Sequence, residues 1–341
     1  MRQAVTTAPG VMTVHEVDEP VCPPGRIRIG VEIVGLCGSD YHLFSGAHPY
    51  ARFPQTQGHE FSGRVLEVGP GYVGPVAAGD RVVVEPFVEC GTCVACRAGR
   101  SNCCSTLQVM GGHISGALAE QVVVPAEHVY QAGALAADIA ALVEPISIGM
   151  QAVRRGQVTS EDRVVVLGAG PVGLAATLSA ADIGAQVLVV DRVASRLENA
   201  RNLGAERVVD NSRVDVRAAV AEWTAGDGAG VVVEATGVPA LVRESFELVC
   251  ASGRIVVVGI SGAEASIPVI EFSRKEVSVY GSRNSVGLFP DAIDLVERNA
   301  ARLAPLITHR FELDRVGEAI AFALNNPDQV EKVVIEIGGN P

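Results

Sequence analysis

The most constraining feature of the sequence is a regular alternation of short apolar runs with helix-length segments from about residue 146 to residue 284. "RVVVLGAG" precedes "PVGLAATLSAADIGA", "QVLVVD" precedes "RVASRLENARNLGA", and "GVVVEATG" precedes "VPALVRESFELVC". Strands that alternate with helices predict a parallel sheet with helices on both faces. Continuous Val-rich runs are typical of strands buried on both faces. The sequence therefore predicts a doubly wound α/β domain here.

Length and charge narrow the remaining possibilities. The 341 residues suit two domains, and 48% hydrophobic with 19% charged residues indicates a core-rich globular chain. A net charge of −12 argues against a nucleic-acid partner, because phosphate binding needs a positive surface. No stretch approaches the ~20 apolar residues of a membrane span, and the N-terminus lacks the apolar core of a signal peptide. We expect a cytoplasmic protein without a membrane partner.

The flanking segments have a different character. Residues 1–145 contain short Val- and Ile-rich runs such as "RIRIGVEIVGLCG" and "DRVVVEPF", bounded by Gly, Pro and Asp. This pattern predicts a small, largely β, barrel-like domain. Residues 285–341 mix helical stretches with the strand-like "ITHRFEL" and "KVVIEI" and do not continue the alternation. We expect that segment to return to the first domain, with the α/β domain spanning 146–284.

A glycine-rich turn lies at the first strand–helix junction of the α/β region. Gly168, Gly170 and Gly173 form G-x-G-x-x-G between an apolar strand and a helix. In that context the glycines permit a tight turn and close approach of a pyrophosphate to the helix N-terminus. Asp191 ends the second strand, 18 residues past Gly173, where a carboxylate accepts bonds from ribose hydroxyls. This favours NAD over NADP, although Arg192 and Arg196 would tolerate a 2′-phosphate.

Five cysteines crowd into residues 90–104. Cys90, Cys93 and Cys96 follow one another at three-residue steps, and Cys103 and Cys104 are adjacent. In a reducing cytoplasm a disulfide framework is not expected, so four thiolates around a zinc ion are the better interpretation. Spacing alone does not choose between the last two cysteines as the fourth ligand.

A second, dispersed set of metal-binding residue types occurs in "GLCGSDYH", "QGHEFSG" and "ALVEPISIG". Cys37, His59 and Glu144 supply a thiolate, an imidazole and a carboxylate. Three protein ligands with a fourth position left open define a catalytic zinc. Taken singly, a buried thiol and a core histidine would be the default interpretation of these residues.

The order of these motifs resembles the zinc-dependent medium-chain alcohol dehydrogenase family, and more closely its polyol and sugar-acid branch, which includes sorbitol dehydrogenase and L-galactonate 5-dehydrogenase. The resemblance spans G-H-E at 58–60, the cysteines at 90–104, E-P at 144–145, the glycine-rich turn and Asp191. It implies a GroES-like β-barrel catalytic domain and a Rossmann NAD-binding domain. It also implies a homodimer or homotetramer.

The resemblance also implies residue roles. The family spacing makes Cys104 the fourth ligand of a structural zinc and leaves Cys103 outside. Cys37 and His59 are implied as catalytic-zinc ligands, with Glu144 or Glu60 as the third. Ser39 and His42 are implied as a relay that carries the substrate proton to solvent. The implied cofactor contacts are Gly168, Gly170, Pro171, Val172, Gly173, Asp191, Arg192, Arg196, Thr236, Val258, Gly259, Ser282 and Arg283.

The segment "YGSRNSVG" follows the last strand of the alternation and carries the expectation about substrate. That location predicts Ser282, Arg283 and Asn284 near the nicotinamide. L-galactonate 5-dehydrogenase has a similar S-R-N segment, and Arg283 is suited to hold a carboxylate in a two-point fork. We expect oxidation of a secondary hydroxyl in a polyol or sugar acid. The alternatives are a quinone-type reductase and a zinc- and nucleotide-binding redox sensor without alcohol dehydrogenase activity.

Overall fold

A computed structural model describes residues 1–48 and 51–338. The chain forms two compact units: one comprises Met1–Glu144 and Phe289–Pro341, and the other comprises Pro145–Leu288. Within the described residues, no helix combines the length and the apolar character needed to cross a bilayer.

The elements are numbered in chain order. The strands are β1 (Arg2–Ala8), β2 (Val11–Glu16), β3 (Arg26–Gly35), β4 (Glu60–Val68), β5 (Arg81–Val84), β6 (Phe87–Val88), β7 (Gln108–Val109), β8 (Gln121–Pro125), β9 (Val129–Gln131), β10 (Arg163–Leu167), β11 (Gln186–Asp191), β12 (Arg207–Asp210), β13 (Ala229–Glu234), β14 (Val249–Val257), β15 (Ser278–Gly281), β16 (Ile307–Glu312) and β17 (Lys332–Glu336). The helices are α1 (Gly38–Ser45), α2 (Val94–Arg97), α3 (Ala137–Ala140), α4 (Val143–Arg155), α5 (Pro171–Ile183), α6 (Ala194–Asn202), α7 (Val216–Trp223), α8 (Pro239–Leu248), α9 (Ile270–Arg274), α10 (Phe289–Arg298), α11 (Ala300–Leu303) and α12 (Val316–Asn325).

The unit of residues 145–288 is built on a six-stranded parallel sheet. Its strand order is β12-β11-β10-β13-β14-β15, the doubly wound order in which the first strand of the unit, β10, lies in the middle of the sheet. Val164, Val165 and Val166 of β10 are fully buried, as expected for a central strand covered on both faces. The predicted parallel α/β architecture is confirmed. Its ligand-binding edge lies at the carboxyl ends of the strands, where β10 is followed by the glycine-rich turn.

The other unit is built on a seven-stranded mixed sheet. The order is β16-β17-β3-β4-β5-β9, with β8 also paired to β3. Alternate residues of β3, beginning with Ile27, Ile29 and Val31, enter the core, as the period-2 pattern of a strand requires. Phe61 of β4 and Ile320 of α12 belong to the same core cluster.

Three neighbouring strands of this sheet position the principal site. β3 ends at Gly35, β4 begins at Glu60, and β17 begins at Lys332. Gly35 pairs with Glu60 on one side and with Val334 on the other. The end of β3 is therefore flanked by the starts of β4 and β17, although these starts are far apart in sequence.

Candidate functional site

Cys37 is fixed by the start of α1. The helix begins at Gly38, one residue after it, and the Asp40 side chain reaches back to accept a hydrogen bond from the Cys37 backbone N–H at 2.9 Å. An acidic side chain three residues past the capping position satisfies a donor that the helix would otherwise leave unpaired. The turn between β3 and α1 is thereby held at the position of the thiol.

Asp40 also organises the segment that carries His59. This fully buried carboxylate accepts from the Gly58 backbone N–H at 3.2 Å, and its Oδ2 lies 3.9 Å from Nδ1 of His59. The Gln57 side-chain amide donates to the Asp40 carbonyl at 2.7 Å. The hydrogen bonds of Asp40 fix the segments that carry Cys37 and His59, and its negative charge acts on the His59 ring, so Asp40 is a residue of the site that the sequence analysis missed. Its position in the first turn of α1 was the available signal.

Three of the predicted metal-binding side chains converge. The Cys37 sulfur, a His59 ring nitrogen and a Glu60 carboxylate oxygen all lie within 4.8 Å of one another; we call these residues the mixed-donor group. Burial opposes protonation of His59, but Asp40 and Cys37 outweigh it and raise the pKa of the ring well above its usual value. The same negative potential attracts a metal cation. Sulfur, nitrogen and oxygen donors in this potential fit a zinc ion.

Glu144 occupies the first turn of α4, and among the described residues it is not one of the three that converge. It is buried, and the pKa of its carboxyl is raised to about 7, mainly by burial. The charge of His59 acts to lower this pKa, and the charge of Glu60 acts to raise it. The electrostatic coupling shows that Glu144 belongs to the surroundings of the mixed-donor group. Of the two carboxylates considered as the third ligand, Glu60 is the one that the structure places within the group.

Lys332 is a second residue that the sequence analysis missed. Its ammonium lies 2.6 Å from Oε2 of Glu60 and 3.3 Å from the carbonyl oxygen of Leu36. Burial opposes its charge, but Glu60 and Cys37 outweigh it and raise the pKa of the amine above its ordinary value. A lysine leading an apolar run at the far end of the chain carries no sequence signal for a metal centre.

The second candidate metal site is the cysteine loop, residues 90–104. The sulfurs of Cys90, Cys93, Cys96 and Cys104 all lie within 4.8 Å of one another, and Cys103 is an exposed thiol outside this set. Adjacent sulfurs are 3.5 to 4.0 Å apart. A tetrahedral site with metal–sulfur bonds of ~2.3 Å has edges of ~3.8 Å, so the four thiols fit a zinc ion with no open position.

Backbone donors prepare two of these thiols for metal binding. Hydrogen bonds from Thr92 and the Cys93 N–H lower the pKa of Cys90 to about 5. The backbone N–H of Cys96 lowers the pKa of Cys93 to about 7. Burial and the neighbouring sulfurs instead raise the pKa of Cys96 to about 12. Since the thiolate is the metal ligand, the loop is preset for a cation that completes the ionisation of all four sulfurs.

The glycine-rich turn has the shape that a dinucleotide site requires. A Cβ on Gly173 would stand 1.8 Å from the carbonyl oxygen of Gly168, so the close approach of helix α5 to the strand demands glycine. A Cβ on Gly170 would meet nothing within 4 Å, and this open space faces the start of α5, whose N1 residue is Pro171. Unpaired N–H groups at such a helix start suit a pyrophosphate.

Asp191 ends β11 and is oriented by backbone donors. Its Oδ2 accepts from the Ala169 N–H at 2.7 Å, and its Oδ1 accepts from the N–H groups of Arg192 and Val193 at 2.7 and 2.9 Å. The carboxylate is thereby held at the glycine-rich turn, with further lone pairs for ribose hydroxyls.

The remaining predicted residues fall in both units. Ser39 and His42 lie three positions apart on α1, and the His42 side chain is exposed. In the unit of residues 145–288, Val172 lies in the first turn of α5, Arg196 on α6 and Thr236 in the turn after β13. Val258 and Gly259 follow β14, and the other predicted contacts follow β15, namely Ser282, Arg283 and Asn284.

Comparison with known proteins agrees with this architecture. Residues 23–134 match the alcohol dehydrogenase GroES-like domain, and residues 171–298 match the zinc-binding dehydrogenase domain. An uncharacterized zinc-type alcohol dehydrogenase-like protein of Haemophilus influenzae is 35% identical, over 95% of each chain. L-galactonate-5-dehydrogenase of Escherichia coli K12 is 31% identical, over 92% of this chain and 93% of its own.

A solved structure shares the whole fold. The alcohol dehydrogenase RspB of Escherichia coli CFT073, complexed with the cofactor NADH, superposes with a TM-score of 0.92 at 32% identity and covers 99% of each chain. The chain belongs to the zinc-dependent medium-chain alcohol dehydrogenase family. The protein is a zinc-type oxidoreductase that acts on a small molecule, and it consists of a GroES-like domain and a Rossmann domain. The predicted family, fold class and enzyme class are thereby confirmed.

Proposed function

We propose that the enzyme oxidises a secondary hydroxyl of a sugar acid or polyol of the L-galactonate type and uses NAD as the hydride acceptor. Cys37 and His59 of the mixed-donor group are assigned to the catalytic zinc, with Glu60 or Glu144 as the third protein ligand, and Cys90, Cys93, Cys96 and Cys104 are assigned to a structural zinc. When bound, the catalytic zinc supplies Lewis acidity that lowers the pKa of a hydroxyl, and NAD supplies the site that receives a hydride.

The chain's own residues would handle the proton. Ser39 is the second residue of α1, which begins directly after Cys37, so its hydroxyl is assigned to receive the substrate proton. His42 lies almost one turn further along the same helix, with an exposed side chain. Residues three apart on a helix are neighbours, which supports a relay from the serine to the imidazole and then to water.

The observation that carries the substrate class is the polar segment after β15. Among the described residues, Ser282 Oγ and Asn284 Nδ2 are buried and have no hydrogen-bond partner. Asn284 also adopts a left-handed backbone with φ of 46°, and the next residue, Ser285, is anchored to Ser147 by a 2.8 Å hydrogen bond. Buried polar atoms left unsatisfied in a held, strained turn support a polar ligand there.

Arg283, the exposed residue between these two, supports an acid over a neutral polyol. Arginine binds carboxylates through two parallel hydrogen bonds, which gives charge-assisted pairing that a neutral hydroxyl lacks. The similarity to L-galactonate-5-dehydrogenase points in the same direction. The oriented carboxylate of Asp191 supports NAD, because a 2′-phosphate would meet like charge. The assembly is proposed to be a homodimer or homotetramer.

The test compares a sugar acid with its matching neutral polyol in wild type and in Arg283→Gln. Wild type should oxidise the acid better, and NAD should exceed NADP in kcat/KM by at least about tenfold, or ~1.4 kcal/mol. The substitution should raise KM for the sugar acid about tenfold or more, which corresponds to the loss of one charge-assisted two-point hydrogen bond. It should change KM for the neutral polyol only a fewfold.

Arg243→Gln is the matched control, because Arg243 is an exposed arginine on α8 of the same unit. This substitution should leave KM unchanged for both the sugar acid and the neutral polyol. Equal losses for acid and polyol in Arg283→Gln would assign that arginine to the cofactor or to the fold. A wild-type preference for neutral polyols would make the substrate a plain polyol.

A further inference from the structure

Lys332 is a buried cation beside the mixed-donor group that the proposed reaction does not use. Its side chain is only 3% exposed, and that of Glu60 is 2% exposed. Lysine is almost never fully buried unless it is paired, and here the partner is a carboxylate that is itself a candidate metal ligand. The contact of 2.6 Å joins Nζ to Oε2 of Glu60, and a second bond to the Leu36 carbonyl fixes the ammonium.

Gly35 provides the space in which this pair forms. A Cβ built on Gly35 would stand 2.6 Å from Oε2 of Glu60, well inside any ordinary contact. The residue has no positive φ that would call for glycine. The missing side chain is therefore explained by the carboxylate that occupies its place. Three adjacent strands thus form one pocket for the Glu60 carboxylate, which we call the seat: β4 supplies Glu60, β3 supplies the space at Gly35, and β17 supplies Lys332.

The charges around this seat make the position of Glu60 consequential. The Glu60 carboxylate lies between the Lys332 ammonium and the space enclosed with Cys37 and His59, where a bound zinc ion would add a second cation. Glu60 consequently has two cations competing for it. A carboxylate drawn toward the lysine leaves a metal position open, whereas a carboxylate drawn toward the metal closes it.

We propose that Lys332 is a positioning residue that holds Glu60 in the seat over Gly35 and so keeps one coordination position of the catalytic zinc open for the substrate. The inference rests on the assignment of Cys37 and His59 as zinc ligands in the proposed function. Lys332 is buried and already paired, so it acts through Glu60 and does not bind the substrate.

The test measures zinc release from the full-length protein to a chelator in wild type, Lys332→Met and Gly35→Ala. Zinc bound at the mixed-donor group is identified as the kinetic phase of zinc release that is missing in the Cys37→Ser variant. Methionine removes the charge and keeps the length of the side chain, while alanine keeps the lysine and fills the seat. Both changes should drive Glu60 onto the metal and slow that phase at least about tenfold, the usual scale for a residue that orients a metal ligand.

A second readout reports the open position directly. With cobalt(II) in place of zinc, imidazole added to wild type should change the d–d spectrum as it fills the open position. Both variants should need at least about tenfold more imidazole. Because the effect travels through Glu60, neither substitution should matter in a Glu60→Gln background.

The outcomes separate this inference from the proposed function. Unchanged or faster zinc release in Lys332→Met and Gly35→Ala would overturn the inference, because a merely structural lysine would loosen the site when removed. Should Lys332→Met fail to fold, Gly35→Ala decides alone. Retention of the effects in the Glu60→Gln background would also overturn it. A wild-type protein whose only zinc is the one bound by the cysteine loop would instead refute the proposed catalytic site.

Discussion

The cysteine loop takes its four thiols from fifteen consecutive residues. The mixed-donor group instead takes its donors from the turn between β3 and α1 and from the start of β4, and its counter-charge comes from β17. The loop's thiols are mostly solvent-accessible and are tuned by backbone N–H groups of the loop itself. Glu60 and Lys332 are buried, and Asp40 and Lys332 hold the mixed-donor residues from outside the ligand set. A local loop can supply all four ligands of a four-sulfur site, whereas the donors and counter-charge of the mixed-donor group come together only when the sheet is assembled.

The largest expected effect is on catalysis when the mixed-donor group is broken. Cys37→Ser should lower kcat/KM at least about a thousandfold, or ~4 kcal/mol, because a serine hydroxyl does not ionise as a thiol does and is a poor zinc ligand. Zinc should fall by about one ion per chain, with the ion of the cysteine loop retained. The measurement combines metal analysis with initial rates.

Cys250→Ser is the control for this substitution, since Cys250 is a partly exposed thiol in the other unit. It should leave both zinc content and rate unchanged. A Cys37→Ser protein that keeps two zinc ions and full activity would remove the mixed-donor group from catalysis.

The second effect concerns stability and the cysteine loop. Cys104→Ser should lose about one zinc per chain and lower Tm, because a structural zinc contributes folding free energy and an open tetrahedron binds it weakly. Cys103→Ser, one residue away and exposed, should keep all its zinc. Metal analysis and thermal unfolding of the two variants decide between the adjacent cysteines. Equal zinc loss in both would reject the assignment of Cys104.

The contrast between the two groups also explains what the sequence could predict. The cysteine loop could be predicted as a zinc site, because its cysteines are close in sequence and Cys90, Cys93 and Cys96 have a spacing typical of zinc sites, although only the family resemblance favoured Cys104 over Cys103. The parallel sheet could be predicted from the alternation of apolar runs with helices, since continuous apolar runs reflect strands that helices cover on both faces of the sheet. Local spacing and periodicity were the informative signals in both cases.

The residues that support the mixed-donor group could not be predicted from the sequence. Lys332 meets Glu60 across 272 residues of sequence, and only the pairing of β17 with β3 and of β3 with β4 brings them together. Asp40 had a local signal as a capping residue, but its contact near His59 depends on how the segment at 57–59 packs over α1. Gly35 resembles any strand-terminal glycine until the carboxylate beside it is seen.

The smallest expected effect is a pH dependence at the edge of the cysteine loop. His128 lies 3.9 Å from Glu85 and 3.6 Å from Glu89, the residue before Cys90. Burial opposes its protonation, but these carboxylates outweigh it and raise the pKa of the ring above its usual value. A raised pKa in the folded state stabilises the protein below the unfolded pKa, and this contribution is lost as pH rises through the folded value.

The Tm difference between wild type and His128→Gln should therefore be larger near pH 6 than near pH 9. Thermal unfolding at both values checks this, with His15→Gln as the control, because the His15 side chain is exposed. A difference of equal size at both pH values, or a larger one near pH 9, would show that the protonated ring does not stabilise this edge of the loop.

The contrast between a closed four-sulfur site and an open mixed-donor site is tested most directly by zinc X-ray absorption on the wild-type protein. Two zinc ions per chain, one held by four cysteines and one by Cys37, His59 and oxygen donors, should average about 2.5 sulfurs per zinc with a clear nitrogen and oxygen shell. An average of four sulfurs per zinc, with one zinc per chain in an active enzyme, would contradict the account.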